Sequence, residues 1–421
     1  MSVRSADLAI EARWVLSPTG DGVLDHHTLI VHEGRIADLL PSALARRRYE
    51  PLALLERPSH LLMPGLVNAR VSLGSSAQAH AGAGAGAVAA ADAELLGIAQ
   101  LLRSGITCCA HVGPRPRELA QLALEQGLRL CLALPIGAPA GGGGTGDPRD
   151  SLSEALRLHD EYRAHPSIST AFALPDPNAL DDAMLAHIAT LSVEIDSGVL
   201  APLHASSREI ARSISQHGLR PLARLERAGL LTPALAAAHM THLEPADIEL
   251  AARAGIGITL CPQADLEAGD ERAPLEALRA AGLRLSVGSG ASLGGRDGDL
   301  WGDLKLLMLA SRGTLAPQEL LALASVGGAR VLGLEESIGT LEVGRAADLV
   351  CLDRSGPGAR GSADTLRALL LGAAHDLVSD VWVAGRQLIC EGAFTRLDWP
   401  RLAARLDAPS DSASTPSGGY R

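Results

Sequence analysis

Aromatic side chains are scarce in this 421-residue chain: four tryptophans, three tyrosines and two phenylalanines. A pocket that grips flat rings by stacking draws on such side chains, so an aromatic-walled site is not expected. Lysine is scarcer still, with Lys305 alone against thirty-six arginines. The net charge of −11 excludes a general nucleic-acid binder, which needs a basic face to neutralise phosphates. No C-x-x-C pair occurs among Cys108, Cys109, Cys131, Cys261, Cys351 and Cys390. Neither a zinc knuckle nor a disulfide framework follows from those spacings. Buried reduced thiols in a cytoplasmic protein are the expectation. No run of about 18 uninterrupted apolar residues suggests a membrane span. The N-terminal "MSVRSADLAIEARWVLSP" has early acids and no long apolar core, so it does not read as a signal peptide.

What is present is a large apolar fraction, 47%, enough for one big domain with an appendage. The two ends read as short strands. "LAIEARWVL", "TLIVHEGRIADLL" and "LALLERPSHLLMPG" alternate or run apolar between turn residues, with "HEGRI" as a hairpin turn. "AADLVCLD" and "VSDVWVAGRQLICEG" repeat that character near the C-terminus, with Gly385-Arg386 at a tight turn. Between them, apolar runs such as "GITCCAHV", "LRLCLALPI" and "ITLCPQ" alternate with helix-like stretches. That pattern predicts parallel strands with crossover helices. Roughly eight such units fit, the size of a (β/α)8 TIM-type barrel. The expected organisation is a composite β-sandwich from residues 1–59 and 345–407, a barrel over 60–344 and a disordered tail over 408–421. The glycine-rich stretches 79–94 and 137–150 lack the Lys-Ser/Thr ending or dinucleotide unit of a phosphate cradle.

Several motifs carry a family resemblance. "LLMPGLVNA" (61–69) resembles the first barrel strand of the amidohydrolase superfamily. Residues 216–269, "QHGLRPLARLERAGLLTPALAAAHMTHLEPADIELAARAGIGITLCPQADLEAG", resemble its TRZ/ATZ branch of triazine chlorohydrolases and adenosine-derivative deaminases. "GTLEVGRAADLVCLD" (339–353) and "VSDVWVAGRQLICEG" (378–392) resemble that branch's return to its small domain. The resemblance implies a (β/α)8 barrel, a small β-sandwich built from both chain ends, and metal-assisted hydrolysis. A zinc or iron ion would acidify a bound water that attacks a carbon bearing an amine or halide.

The metal positions, however, hold other residues. The family's H-x-H on the first strand falls on Arg70 and Ser72. Arginine stays protonated and has no lone pair to offer an ion. Counted back from Gln216-His217-Gly218, the fifth-strand histidine falls on Pro202 and the proton-shuttling glutamate on Ala205. The sixth-strand histidine survives as His239, with His242 three residues on. The eighth-strand aspartate falls on Gly290. Asp297 and Asp299 follow it near a helix start, where acids suit the helix dipole. Lys305 falls on the helix after the last strand, which closes the carboxylated-lysine variant of the site. No metal cofactor is therefore expected.

Three readings stay open at this stage. The first is a pseudoenzyme: a TRZ/ATZ hydrolase-like, deaminase-like scaffold that has lost metal-dependent hydrolysis. It would bind a small molecule in the barrel mouth, or act as a subunit beside an intact hydrolase paralogue or in a homodimer. The second is an active hydrolase of non-peptide carbon–nitrogen bonds with a relocated site, drawing on His80, His111, His204, His239 and His242, and a rebuilt His111/His204/His239 centre in particular. The third is metal-free chemistry, with Arg70 placing a fixed positive charge where the ion would sit and binding a carboxylate or phosphate. His239 is the catalytic candidate. Arg70, His111, His204 and His239 are the ligand-binding candidates. Neither nucleic acid nor a membrane is an expected partner.

Overall fold

A computed structural model describes residues 3–17, 22–74, 90–137, 147–270, 272–290, 298–356, 365–372 and 374–407. His80, Asp297, the glycine-rich residues 79–89 and 138–146, and the tail 408–421 lie outside the described residues.

Strands from both ends pair into one eight-stranded mixed sheet. Its members are β1 (Arg4–Leu16), β2 (Val23–His32), β3 (Arg35–Pro41), β4 (Tyr49–Pro64), β13 (Leu349–Asp353), β14 (Val378–Val383), β15 (Arg386–Cys390) and β16 (Ala393–Phe394). The order is β16-β15-β14-β13-β4-β1-β2-β3, so both ends of the chain meet where β13 pairs with β4. The turn expected within "HEGRI" is in place, and the one expected at Gly385-Arg386 sits one residue earlier, because Arg386 already opens β15. Glu33-Gly34 joins β2 to β3, and Ala384-Gly385 joins β14 to β15.

The barrel strands follow in sequence order: β5 (Leu66–Val71), β6 (Ile106–Val112), β7 (Arg129–Pro135), β8 (Ile168–Ala173), β9 (Gly198–Leu203), β10 (Leu235–His239), β11 (Gly257–Leu260) and β12 (Arg284–Val287). All neighbours are parallel and are separated by helices, as a (β/α)8 barrel requires. Closure comes from Val71 bridging Gly290, where Ser72 N–H donates to Gly290 O at 3.2 Å and Gly290 N–H to Arg70 O at 3.0 Å.

Strict alternation sorts the strand residues. Leu130, Leu132, Leu134, Phe172, Val199 and Ala201 pack with the core shared with the surrounding helices. Ala110, Cys131, Ala133, Ala171, Ala173, Leu200 and Ala236 fill the interior instead. Both faces are buried, which explains why these segments read as continuous apolar runs. The short helix Gly328–Val331 plugs the end where the strands begin. A Cβ on Gly328 would lie 2.8 Å from Val67, so only glycine lets that helix seat so closely. Beside it, Arg129 at the start of β7 forms a buried ion pair with Asp348, which ties barrel to sheet.

Five cysteines are buried, Cys390 is half-buried, and all six are free thiols. Among the described residues no helix is long and apolar enough to cross a membrane.

Candidate active site

The site lies at the opposite end, where the strands finish and their following loops meet. Arg70 reaches the interior through a bulge. Asn68 pairs with Cys109 and Val71 with His111, so Ala69 and Arg70 together oppose Ala110 alone. The extra residue shifts the alternation, sending Val71 into the helix-facing core and Arg70 inward. The guanidinium is only partly exposed. Burial pulls its pKa below the ordinary arginine value, while the Cys261 thiol and Asp265 carboxylate, its electrostatic neighbours, work the other way. Arginine nonetheless stays a cation. Arg70 donates its backbone N–H to Asn68 Oδ1 at 3.3 Å, but among the described residues its guanidinium makes no hydrogen bond or ion pair.

Asp265 sits on helix Pro262–Glu267, directly after β11. It is nearly fully buried, and its Oδ1 lies 2.6 Å from Nδ1 of His239. His239 ends β10 with φ +73 and Met240 follows at +57. Two left-handed residues in succession break the alternation, which releases His239 from the strand's pattern toward Asp265. A neutral ring that donates Nδ1–H to the carboxylate keeps the Nε2 lone pair. The ring retains 18% exposure, against 4% for the carboxylate.

Asp265 and Cys261 were not singled out in the sequence. An acid in the first turn of a helix is ordinary there, and nothing local announces a partner 26 residues upstream.

The other candidate histidines face elsewhere. His111 shares parity with the helix-facing Cys109. Its Nδ1 accepts the Leu73 N–H at 3.1 Å, and burial drives its pKa down to about 4, against a smaller opposing effect of the Pro114 carbonyl. His204 is fully buried, with Nε2 accepting the Leu222 N–H at 3.3 Å and Nδ1 facing the His242 carbonyl at 3.2 Å. Both ring nitrogens are spent on backbone groups, and burial lowers the ring's pKa. The His111/His204/His239 centre is therefore not assembled, because two of its members brace loops. His242 pairs with the Thr241 hydroxyl at 2.7 Å. Asp299 caps helix Leu300–Ala310 by accepting the Gly302 N–H at 3.1 Å, and Lys305 lies exposed on that helix.

The donor chemistry does not fit a metal ion. Among the described residues no three His, Cys, Asp or Glu side chains gather to hold one. Pro202 and Gly290 contribute no donor side-chain atom. Near Ala205 the carboxylate is Glu209, which is turned back to accept the N–H groups of Ala205 at 2.8 Å and His204 at 3.2 Å. The backbone has also closed in: a Cβ at Gly290 would lie 2.9 Å from the Ala264 Cβ, at φ +63.

Comparison with known proteins matches residues 61–388 to the family model described as "Amidohydrolase family". The chain belongs to the amidohydrolase family. A 5-methylthioadenosine/S-adenosylhomocysteine deaminase of Teredinibacter turnerae is 28% identical, over 94% of this chain and 96% of that one. The deaminase of the same name from Saccharophagus degradans is also 28% identical, over 93% and 94%. Among solved structures, an adenosine deaminase from Xanthomonas campestris with bound zinc superposes with a TM-score of 0.90 at 31% identity, covering 96% of this chain and 98% of that one. The zinc complex of atrazine chlorohydrolase from Arthrobacter aurescens shares the fold, with a TM-score of 0.84 at 21% identity over 95% and 99%. The TRZ/ATZ resemblance holds across the chain.

Proposed function

We propose that this chain hydrolyses a carbon–nitrogen bond, other than a peptide bond, in a small molecule of the adenosine-derivative class, at a metal-free centre. The observation that carries it is the His239–Asp265 pair at 2.6 Å, seated in the barrel mouth beside an unpaired Arg70. The relatives' deaminase names support the reaction class. In this reading Asp265 orients the imidazole and His239 Nε2 takes a proton from water. The new C–O bond forms as the C–N bond breaks. The proton returns from His239 to the departing nitrogen, which leaves as ammonia or an amine. Arg70 anchors the substrate by its charge.

The test is ammonia release from 5-methylthioadenosine, S-adenosylhomocysteine and adenosine, using protein purified with a chelator. Turnover that survives chelation and falls at least about 100-fold in His239→Ala supports the reading. No turnover, or turnover abolished by chelation, overturns it.

A second reading is a ligand-binding or partner-subunit pseudoenzyme. Its specific support is the donorless set Pro202, Ala205 and Gly290. It predicts ligand-dependent thermal stabilisation, or co-purification with an intact paralogue, without turnover.

A further inference from the structure

The unpaired guanidinium of Arg70 has a consequence for what enters the barrel. Taking an arginine out of water without a partner is costly, and proteins generally supply an anion at such a place. Among the described residues, Arg70's neighbours Asp265, Cys261 and Asn68 have other partners. Asp265 gives one carboxylate oxygen to His239 at 2.6 Å. The Asn68 side chain exchanges hydrogen bonds with Ser289, donating to its hydroxyl at 2.9 Å and accepting its N–H at 3.2 Å. The Cys261 sulfur lies 3.8 Å from the Thr259 carbonyl, and burial holds its thiol protonated. The interior wall below carries alanine, cysteine and leucine, and its buried Thr259 and Ser286 hydroxyls bond each other at 3.0 Å. With an overall charge of −11, the chain has no general attraction for anions, so any anion preference at this point is local.

We infer that the ligand of this barrel carries an oxyanion group, a carboxylate or a phosphate, that docks on the Arg70 guanidinium where the family's metal would lie. The planar fork matches two oxygens at once. The Asp265 charge, which would otherwise repel such a group, is shared with the His239 ring. This inference rests on the barrel mouth being the small-molecule site proposed above, and narrows its substrates to anionic ones. It does not require turnover.

The experiment is calorimetric titration of the full chain with S-adenosylhomocysteine, which carries a carboxylate, and adenosine monophosphate, which carries a phosphate. Methylthioadenosine and adenosine, which carry neither, are the comparison. At least one anionic compound should bind about tenfold or more tightly than both neutral ones, and which one identifies the oxyanion. Arg70→Gln should erase the preference and Arg70→Lys should keep part of it. Equal or tighter binding of the neutral compounds, no binding by either anionic compound, or a preference unchanged in Arg70→Gln overturns the inference. Because binding is read apart from ammonia release, anion preference without turnover sinks the proposed reaction alone. Turnover of neutral compounds without anion preference sinks this inference alone.

Discussion

Nδ1 of His239 and Oδ1 of Asp265 lie 2.6 Å apart, joining the end of one barrel strand to the helix after the next. The pair fixes which ring nitrogen holds the proton, and so which is free to act as a base. Asp265→Asn keeps the shape but removes the charge that steadies an imidazolium. Turnover should fall between about 10²- and 10⁴-fold, with ligand affinity within a few-fold of the parent. Steady-state ammonia release beside calorimetric titration separates the two. An equal loss in binding would assign Asp265 to ligand contact instead.

Gly290 should resist restoration of the family's aspartate. At φ +63, with Ala264 Cβ 2.9 Å from a new Cβ, Gly290→Asp is strained and crowded. The expected cost is about 1–3 kcal/mol, larger than for Gly218→Ala, where φ is +71 but no atom lies within 4 Å. Urea unfolding measures the difference. Metal content by mass spectrometry should stay below a tenth of an equivalent, roughly the level of an unfilled site.

Acid should weaken the fold through His111. Its pKa is about 4 in the folded state, where burial keeps it neutral, against 6.5 ordinarily. The unfolded chain therefore binds a proton that the native one refuses. This contribution is fully present above pH 6.5 and is lost as pH falls toward 4. At pH 5 the loss is about 2 kcal/mol. Denaturant titrations at pH 7 and pH 5 should show a drop that shrinks by roughly that amount in His111→Gln. An undiminished drop would place the acid sensitivity elsewhere.

Arg129→Leu should destabilise the chain by about 3–5 kcal/mol, because it strands a buried Asp348 carboxylate. The pair is doubly bonded, at 2.8 Å and 3.2 Å, and Asp348 also accepts the Ala384 N–H at 2.7 Å. The double variant Arg129→Leu/Asp348→Leu should recover part of that loss. Thermal unfolding of the three proteins gives the comparison.

Much of this was legible along the chain. Alternating apolar runs and helical stretches specify a parallel barrel, because each strand must bury both faces and each helix one. Glycines at 34 and 385 marked the hairpins, since few other residues take positive φ cheaply. That Arg70, Pro202 and Gly290 offer an ion no side-chain donor belongs to the residue types themselves. What only the tertiary structure decided is where the side chains point and whom they meet. The bulge at Ala69–Arg70 turns a cation inward, and two left-handed residues turn His239 toward Asp265. Neither leaves a trace in composition or spacing. His111 and His204 look equally available as letters, yet the fold ties His111 Nδ1 to Leu73 and both His204 nitrogens to Leu222 and His242. Local sequence sets propensity and chemistry. Long-range packing sets register, backbone handedness and pairing, and through them it sets His239 against a buried carboxylate.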